Sequence, residues 1–281
     1  MNTKFCTLSL SLLAGACALA LPAVSHAAVG SGNVGYYTGC YVAGSAKAPL
    51  ITQAGLTPVA VASLTASQLA PLGTLIIENC NGNDISSQIN ADVKAAVSAG
   101  MKLVIYDWNP GGGTAAALPG APGATIQYDS GSQIDLAAGS PIATGPGGTL
   151  TNASLDGGNS SNHGYATSIP VGSQAYLTTA SPAQIVAFKY SSGAGSVVYS
   201  AIPFDCYFSG CSESVAAPGI KAYFVNVLSS NGFTTCVAEG FSGPKLTLCK
   251  QVCEVPQSPA RLSALIRMYI AAFREDPPCG R

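Results

Sequence analysis

Residues 74–110 read TLIIENCNGNDISSQINADVKAAVSAGMKLVIYDWNP, and this stretch decides the fold. Thr74 to Asn79 is a short run rich in Leu and Ile between Gly73 and Asn81-Gly82. That is the pattern of a strand buried on both faces, where polar and apolar residues need not alternate. Asp84 or Ser86 is expected to cap a helix in which Ile85, Ile89, Val93, Ala96 and Val97 recur at helical spacing and share one face. Gly100 is placed to take the left-handed conformation that ends it. Lys102 to Tyr106 is a second apolar run, closed by Asp107-Trp108-Asn109-Pro110. Two strands joined by a helix of this length are expected to be parallel, with a right-handed crossover. The stretch is a βαβ unit.

Working upstream, Asn33 to Tyr37 and Pro58 to Ala62 read as strands, Pro49 to Ala54 as a short helix and Ser67 to Leu69 as one helical turn. The resulting β-α-β-β-α-β order predicts an α/β fold with a doubly wound, mostly parallel sheet. Downstream, Gly111 to Gly148 is rich in Gly, Ala and Pro and is expected to be a long surface excursion, with a strand or two around Ala124 to Tyr128. Its Gly111-Gly112-Gly113 run is followed by no Lys-Ser/Thr pair, so it is read as a flexible turn and not a phosphate cradle. Thr149 to Tyr165 is a polar stretch carrying His163, the only histidine beyond residue 27. Ile185 to Tyr190 and Ser196 to Ile202 read as a hairpin across Ser191 to Gly195. Pro203 to Tyr207 closes the sheet, and Ile220 to Leu228 reads as a helix against it.

The first 27 residues carry the marks of a secretory signal: Lys4, an apolar stretch from Leu8 to Val24, and Ser25-His26-Ala27 as the small-residue cleavage site. Cys17 after Ala14-Gly15-Ala16 is a weak lipoprotein box. No later apolar run reaches the roughly 18 residues of a membrane span, so a secreted or periplasmic protein without a membrane span is expected. Residues 28–235 hold five Lys against nine acidic residues, and the segment from Cys236 holds six basic against four acidic. Neither forms the basic stripe that phosphate backbones require, which argues against nucleic acid as a partner.

Eight cysteines remain after the signal: Cys40, Cys80, Cys206, Cys211, Cys236, Cys249, Cys253 and Cys279. An even number in an exported chain reads as four disulfides. Cys40 and Cys80 both follow expected strands and can tie their loops, and Cys206 and Cys211 can close a small loop. In the C-terminal segment Cys249 and Cys253 lie one turn apart on a helix from Lys245 to Cys253 and are expected to bond outward, to Cys236 and Cys279 in either order. Ser258-Pro259 opens a second helix with Leu262, Leu265, Ile266, Tyr269, Ile270 and Phe273 in a stripe, either hairpin core or a docking surface. A hairpin this small needs such staples. The division expected is 1–27 signal peptide, 28–232 α/β domain and 233–281 cysteine-rich helical module.

Two resemblances follow from these residues. AAVSAGMKLVIYDWNP, SNHGYA and YSSGAGSVVYSAIPFDCYF make residues 33–228 resemble an exported, glutamine-amidotransferase-like domain of the flavodoxin-like fold. CVAEGFSGPKLTLCKQVCE, LIRMYIAAF and PPC resemble a four-cysteine module found at the ends of assorted secreted bacterial proteins. The first implies a fold and not a catalytic activity. The amidotransferase family places Cys in a Gly-x-Cys-x-Gly elbow and a His-x-Glu pair nearby, whereas here Asp107-Trp108-Asn109-Pro110 holds the turn and His163 is followed by Gly164-Tyr165.

In an open α/β sheet a ligand lies beyond the carboxyl ends of the strands. Tyr37, Glu78, Asn79, Asp107, Trp108, Asn109 and His163 are the candidate binding residues there, with Trp108 able to stack on a sugar or other ring. These residues define a non-catalytic binding or interaction protein, with an unknown ligand or cell-surface partner and no cofactor. The alternative is a hydrolase in which His163, oriented by Asp107, activates Ser160 or Ser161, although no Gly-x-Ser-x-Gly elbow is present. Asp156, Asn159 and Asn162 offer a weak set of hard oxygen ligands for calcium.

Overall fold

The computed structural model describes residues 32–39, 46–79, 85–111, 113–120, 123–157, 161–209, 218–230, 242–253 and 259–275. The expected signal segment, Cys40, Cys80, Cys211, Cys236, Cys279, Asn159 and Ser160 lie outside the described residues, as do the side chains of Cys206 and Cys253.

The parallel half of the sheet is built from β1 (Asn33–Tyr37), β2 (Thr57–Val61), β3 (Thr74–Glu78) and β4 (Lys102–Tyr106), joined by α1 (Lys47–Gln53), α2 (Ala66–Leu69) and α3 (Ala91–Ser98). Beyond it run α4 (Thr114–Ala117), β5 (Thr125–Gly131), β6 (Asp135–Leu136), the small ribbon β7 (Thr144–Gly145) and β8 (Gly148–Thr149), α5 (Asn152–Leu155), β9 (Asn162–Ser168), β10 (Gln174–Thr178), β11 (Ile185–Ser192) and β12 (Gly195–Ser200). Three further helices, α6 (Phe204–Ser209), α7 (Ile220–Ser229) and α8 (Gly243–Cys253), precede α9 (Pro259–Phe273). The strand order is β2-β1-β3-β4-β12-β11-β10-β6, with β9 on β11 and β5 on β9. Strands β2, β1, β3, β4 and β12 are mutually parallel. Strands β11, β10 and β6 extend the sheet antiparallel. The first five give the 2-1-3-4-5 order of a flavodoxin-like α/β fold.

The alternation that puts successive side chains on opposite faces divides the core in two. Val34, Ile76, Val104 and Val198 face α7 in one cluster; Leu75, Ile77, Leu103 and Val197 face Val93 and Val97 of α3 in the other. Both faces are apolar because both are covered, and each buried Leu, Ile or Val contributes about 1.5–3 kcal/mol. A third cluster, Cys249, Val252, Leu262, Leu265 and Tyr269, is built from α8 and α9 alone. Of the expected tail stripe, Ile270 is partly exposed, beside Met268 at 57 %.

Several sequence expectations are corrected. The helix of the βαβ unit starts at Ala91, with Asn90 as N-cap accepting from the Val93 amide at 3.0 Å, and not at Asp84 or Ser86. Asn90 wins because its amide also donates to Leu64 O, tying the helix start to the loop before α2; Ile85 and Ile89 stay buried in a separate 3-10 turn and the bend after it. Gly100 has φ +122°, as a chain reversal there requires. Residues 111–148 are not a surface excursion: Ile126, Ile134 and Ile142 are buried, and β5 and β6 join the sheet. His163 lies not in a loop but on β9, whose register with β5 pairs Gly164 with Tyr128. Strand β10, without a sequence expectation, fills the sheet between β11 and β6.

Candidate functional site

Register carries the chain to one place. Glu78, Tyr106 and Ser200 are the last paired residues of β3, β4 and β12 and stand side by side. One residue on, the Asn79 amide donates to Tyr106 O (2.9 Å), the Asp107 amide to Ser200 O (2.8 Å) and the His163 amide to Ala201 O (2.8 Å). These bonds place Asn79, Asp107 and the start of β9 along the carboxyl edge of the sheet, beside the β1/β3 position where the strand order reverses and ligands of such folds bind.

Asp107 is fully buried and its carboxylate accepts four hydrogen bonds. Asn79 Nδ2 (2.7 Å) and the Asn109 amide (3.1 Å) reach Oδ1; Thr114 Oγ1 (3.0 Å) and Tyr199 OH (3.2 Å) reach Oδ2. Burial pushes its pKa up, while these four donors, Asn79 foremost, pull it back down. Asp107 thereby buckles β3, β4, α4 and β12 together at their ends. Fixing the amide of Asn79 toward Asp107 leaves Asn79 Oδ1 buried without a partner, and Trp108 Nε1 is a buried donor without one.

His163 is half-buried, and its Nδ1 lies 2.6 Å from the Trp108 carbonyl. A carbonyl only accepts, so Nδ1 carries the proton and Nε2 presents a lone pair. Desolvation lowers the imidazole pKa; the bond to Trp108 and the charge of Asp107 oppose that. The ring meets those of Trp108 and Tyr128 edge-on, at centroid distances of 6.2 and 6.1 Å. Gly164 follows because a Cβ there would collide with Gln127 O and Pro110.

The remaining candidates separate. Ser161 is buried and donates to Ser132 O at 3.2 Å, so neither it nor Asp107 is hydrogen-bonded to His163. Among the described residues Arg274 is the only non-glycine with positive φ, so the Asp107–Pro110 turn lacks the strained backbone of a nucleophile elbow. Asp156 Oδ1 accepts from the Ile134 amide at 2.8 Å, holding the segment before β6, and Asn162 Nδ2 donates to Gly164 O at 3.3 Å within β9. No group of three or more His, Cys, Asp or Glu that could hold a metal occurs among the described residues. Tyr37 ends β1 half-buried. Glu78 forms a buried ion pair with Lys47 at 2.7 Å. Lys47, Thr114 and Tyr199 are not legible as site residues, since each sits in an apolar or small-residue run that reads as scaffold; Tyr128, a lone ring in a polar strand, carries a signal.

The class defined is a doubly wound α/β domain with a saturated buried carboxylate and a histidine-centred aromatic cluster at the carboxyl edge. No family model matches the chain, and no curated protein matches it. Among solved structures it is similar to a protein from Thermoplasma acidophilum described as a candidate component of GMP synthase (11% identity, TM-score 0.46, over 70% of this chain and 92% of that one). Two cytoplasmic proteins of Salmonella typhimurium are similar at the same TM-score of 0.46, with 11% and 9% identity, over 70% of this chain and 98% and 97% of theirs.

Proposed function

We propose that the protein is an exported, non-catalytic binding protein whose ligand seat is the carboxyl edge of the sheet around Asn79, Asp107, Trp108 and His163. The observation that carries this is the state of Asp107: all its acceptor capacity is spent on four protein donors, so it has none left to orient an imidazole or a water. His163 is held instead by main chain, which fixes its tautomer but supplies no charge for the imidazolium that a hydrolase needs. Export is supported by the N-terminal sequence pattern, and four disulfides by the even count of cysteines together with Cys249, disulfide-bonded and buried in the α8–α9 core. The same core supports treating the C-terminal segment as a module of its own.

The test uses Trp108, the only tryptophan of the chain, as its reporter. A small-molecule panel is screened by Trp108 emission and thermal shift, with hydrolysis of p-nitrophenyl esters measured alongside. Emission changes with saturable binding, and no ester turnover above the His163→Ala background, sustain the reading. Turnover that disappears in His163→Ala overturns it in favour of a hydrolase.

A further inference from the structure

We infer that Lys102 is a conformational stop: its side-chain nitrogen clasps the carboxyl end of α7 to the middle of the sheet, so that unravelling of the C-terminal segment ends at Ser230 and does not enter the α/β domain.

The geometry is a clasp between a fixed point and a helix end. Lys102 opens β4, in register with Thr74 of β3 and Ser196 of β12, and its own amide donates to Gly73 O at 3.0 Å. From this anchored backbone its Nζ donates to Val227 O (2.6 Å), Leu228 O (3.3 Å) and Ser230 O (2.7 Å). The last carbonyls of a helix have no partner within it and need donors from elsewhere. Other donors are present, but they are local. The Ser230 amide reaches Asn226 O (2.9 Å), Ser230 Oγ reaches Val227 O (2.8 Å) and Ser229 Oγ reaches Val225 O (2.8 Å). Those groups would leave together with the end they cap, whereas Lys102 stays with the sheet. The last turn of α7 carries no basic residue of its own, so the cation that suits the negative end of its dipole comes from β4. Burial lowers the Lys102 pKa to about 7. The neutral amine keeps N–H donors for the two short bonds, so the clasp does not depend on charge alone.

The clasp sits where the cores change. Among the described residues, the two cores of the α/β domain reach no further than Leu228, and the third draws only on α8 and α9. Val227 and Leu228 are buried in the first of these cores and are also the residues whose carbonyls Lys102 holds. Local opening spreads from the least stable end of a structure inward. An opening that passed Ser230 would draw these two side chains out of the core, and the clasp stands at that step.

The experiment is residue-resolved hydrogen exchange on the full chain, comparing the parent with Lys102→Met and with Lys94→Met as an exposed control. In the parent, the amides of Val227 to Ser230 are expected to exchange as slowly as those of Tyr223 to Asn226. Lys102→Met should speed the former at least about tenfold, as loss of hydrogen bonds from a charged donor implies. The amides of Val104 and Val198 should keep their rates, and Lys94→Met should change none of them. Last-turn amides in the parent that exchange about a hundredfold faster than those of the helix middle, as a fraying end does, overturn the inference. That reading needs no variant, so it stands if Lys102→Met does not fold. Unchanged rates at 227–230 in Lys102→Met overturn it as well. Equal acceleration at Val104, Val198 and the end of α7 also overturns it, because Lys102 would then support the whole sheet and not a local stop.

Discussion

The His163 imidazole and the Trp108 main-chain carbonyl are joined by a 2.6 Å hydrogen bond that spans 55 residues and pins β9 to the turn after β4. The bond selects the Nδ1–H tautomer, and burial favours the neutral ring. The His163 pKa is therefore below its ordinary 6.5. Nitrogen chemical shifts should show Nδ1 protonated and Nε2 free at neutral pH, with a titration midpoint below that ordinary value. By linkage, a depressed histidine contributes stability that is present above 6.5 and lost as pH falls through its folded value. His163→Asn should lack that component of acid destabilisation. A midpoint at or above 6.5, or an Nε2–H tautomer, would contradict the geometry.

Asp107 serves as an acceptor of four bonds, so shape matters more than charge. In Asp107→Asn, Oδ1 keeps Asn79 and Asn109, while Nδ2 donates to the Thr114 and Tyr199 hydroxyls, which rotate to accept. The loss should stay within about 1 kcal/mol. Asp107→Ala strands four buried donors and should cost about 2–4 kcal/mol. Burial raises the Asp107 pKa, so its contribution is fully present below the ordinary 3.8 and lost as pH rises through the folded value. Urea midpoints across that range should fall less steeply with rising pH in Asp107→Asn than in the parent. Equal slopes, or an Asn variant as unstable as the Ala variant, would refute this.

The parallel half of the fold is legible because its strands are covered on both faces and so read as unbroken runs such as LVIY, residues 103–106. Strand β5 is legible in place, as the strand expected around Ala124 to Tyr128, but not as part of the sheet, because only Ile126 of TIQYDSG is buried. Strand β10 has only five residues and its pairing with β11 includes register shifts, which blur the period-two signal. Of the site, Asn79, Asp107, Trp108 and His163 are legible from position alone. Their partners are not: Thr114 and Tyr199 reach Asp107 across 7 and 92 residues, and nothing local in the chain marks such a meeting. The expectation that His163 pairs with Asp107 fails for a related reason, since a main-chain acceptor leaves no trace in the sequence.

Asn226 on α7 holds the β7–β8 ribbon. Its Nδ2 donates to Ile142 O (3.0 Å) and Gly148 O (2.9 Å), and its Oδ1 accepts from the Gly147 amide (2.8 Å). Asn226→Ala removes all three at a buried position and should cost about 2–4 kcal/mol in urea unfolding. Asn226→Asp preserves the shape but sets a carboxylate against two carbonyls, so it should be no milder. A loss below about 0.5 kcal/mol would mean, on the same scale, that water replaces the bonds freely.

Gly164 tests the placement of His163 by sterics alone. A Cβ at this position would meet Gln127 O and Pro110, and neither backbone nor ring can swing aside without moving β5 or the turn after β4. Gly164→Ala should therefore destabilise by about 1–3 kcal/mol, as overpacking does, and should shift the emission of Trp108. Unchanged emission with unchanged stability would mean that β5 and β9 are further apart than their register implies.

Lys47 and Glu78 form the one ion pair buried on both sides among the described residues, with side chains 2% and 3% exposed. Burial still pushes the Glu78 pKa up, with Lys47 pulling against it. Removing the lysine alone, in Lys47→Met, leaves a carboxyl group without its cation and should cost about 3–5 kcal/mol near neutral pH. Removing both, in Lys47→Met/Glu78→Leu, should recover most of that loss, because the desolvation of two charges disappears with the pair. The pH dependence separates this from lost packing. A raised carboxyl contributes stability that is present below the ordinary 4.5 and lost as pH rises through the folded value. Without Lys47 that value moves higher, so the stability of Lys47→Met should fall more between about pH 5 and pH 8 than the parent's does. The double variant should show no such added slope. A single variant whose loss is the same at both pH values would show that Lys47 acts through its methylene stem and not through its charge.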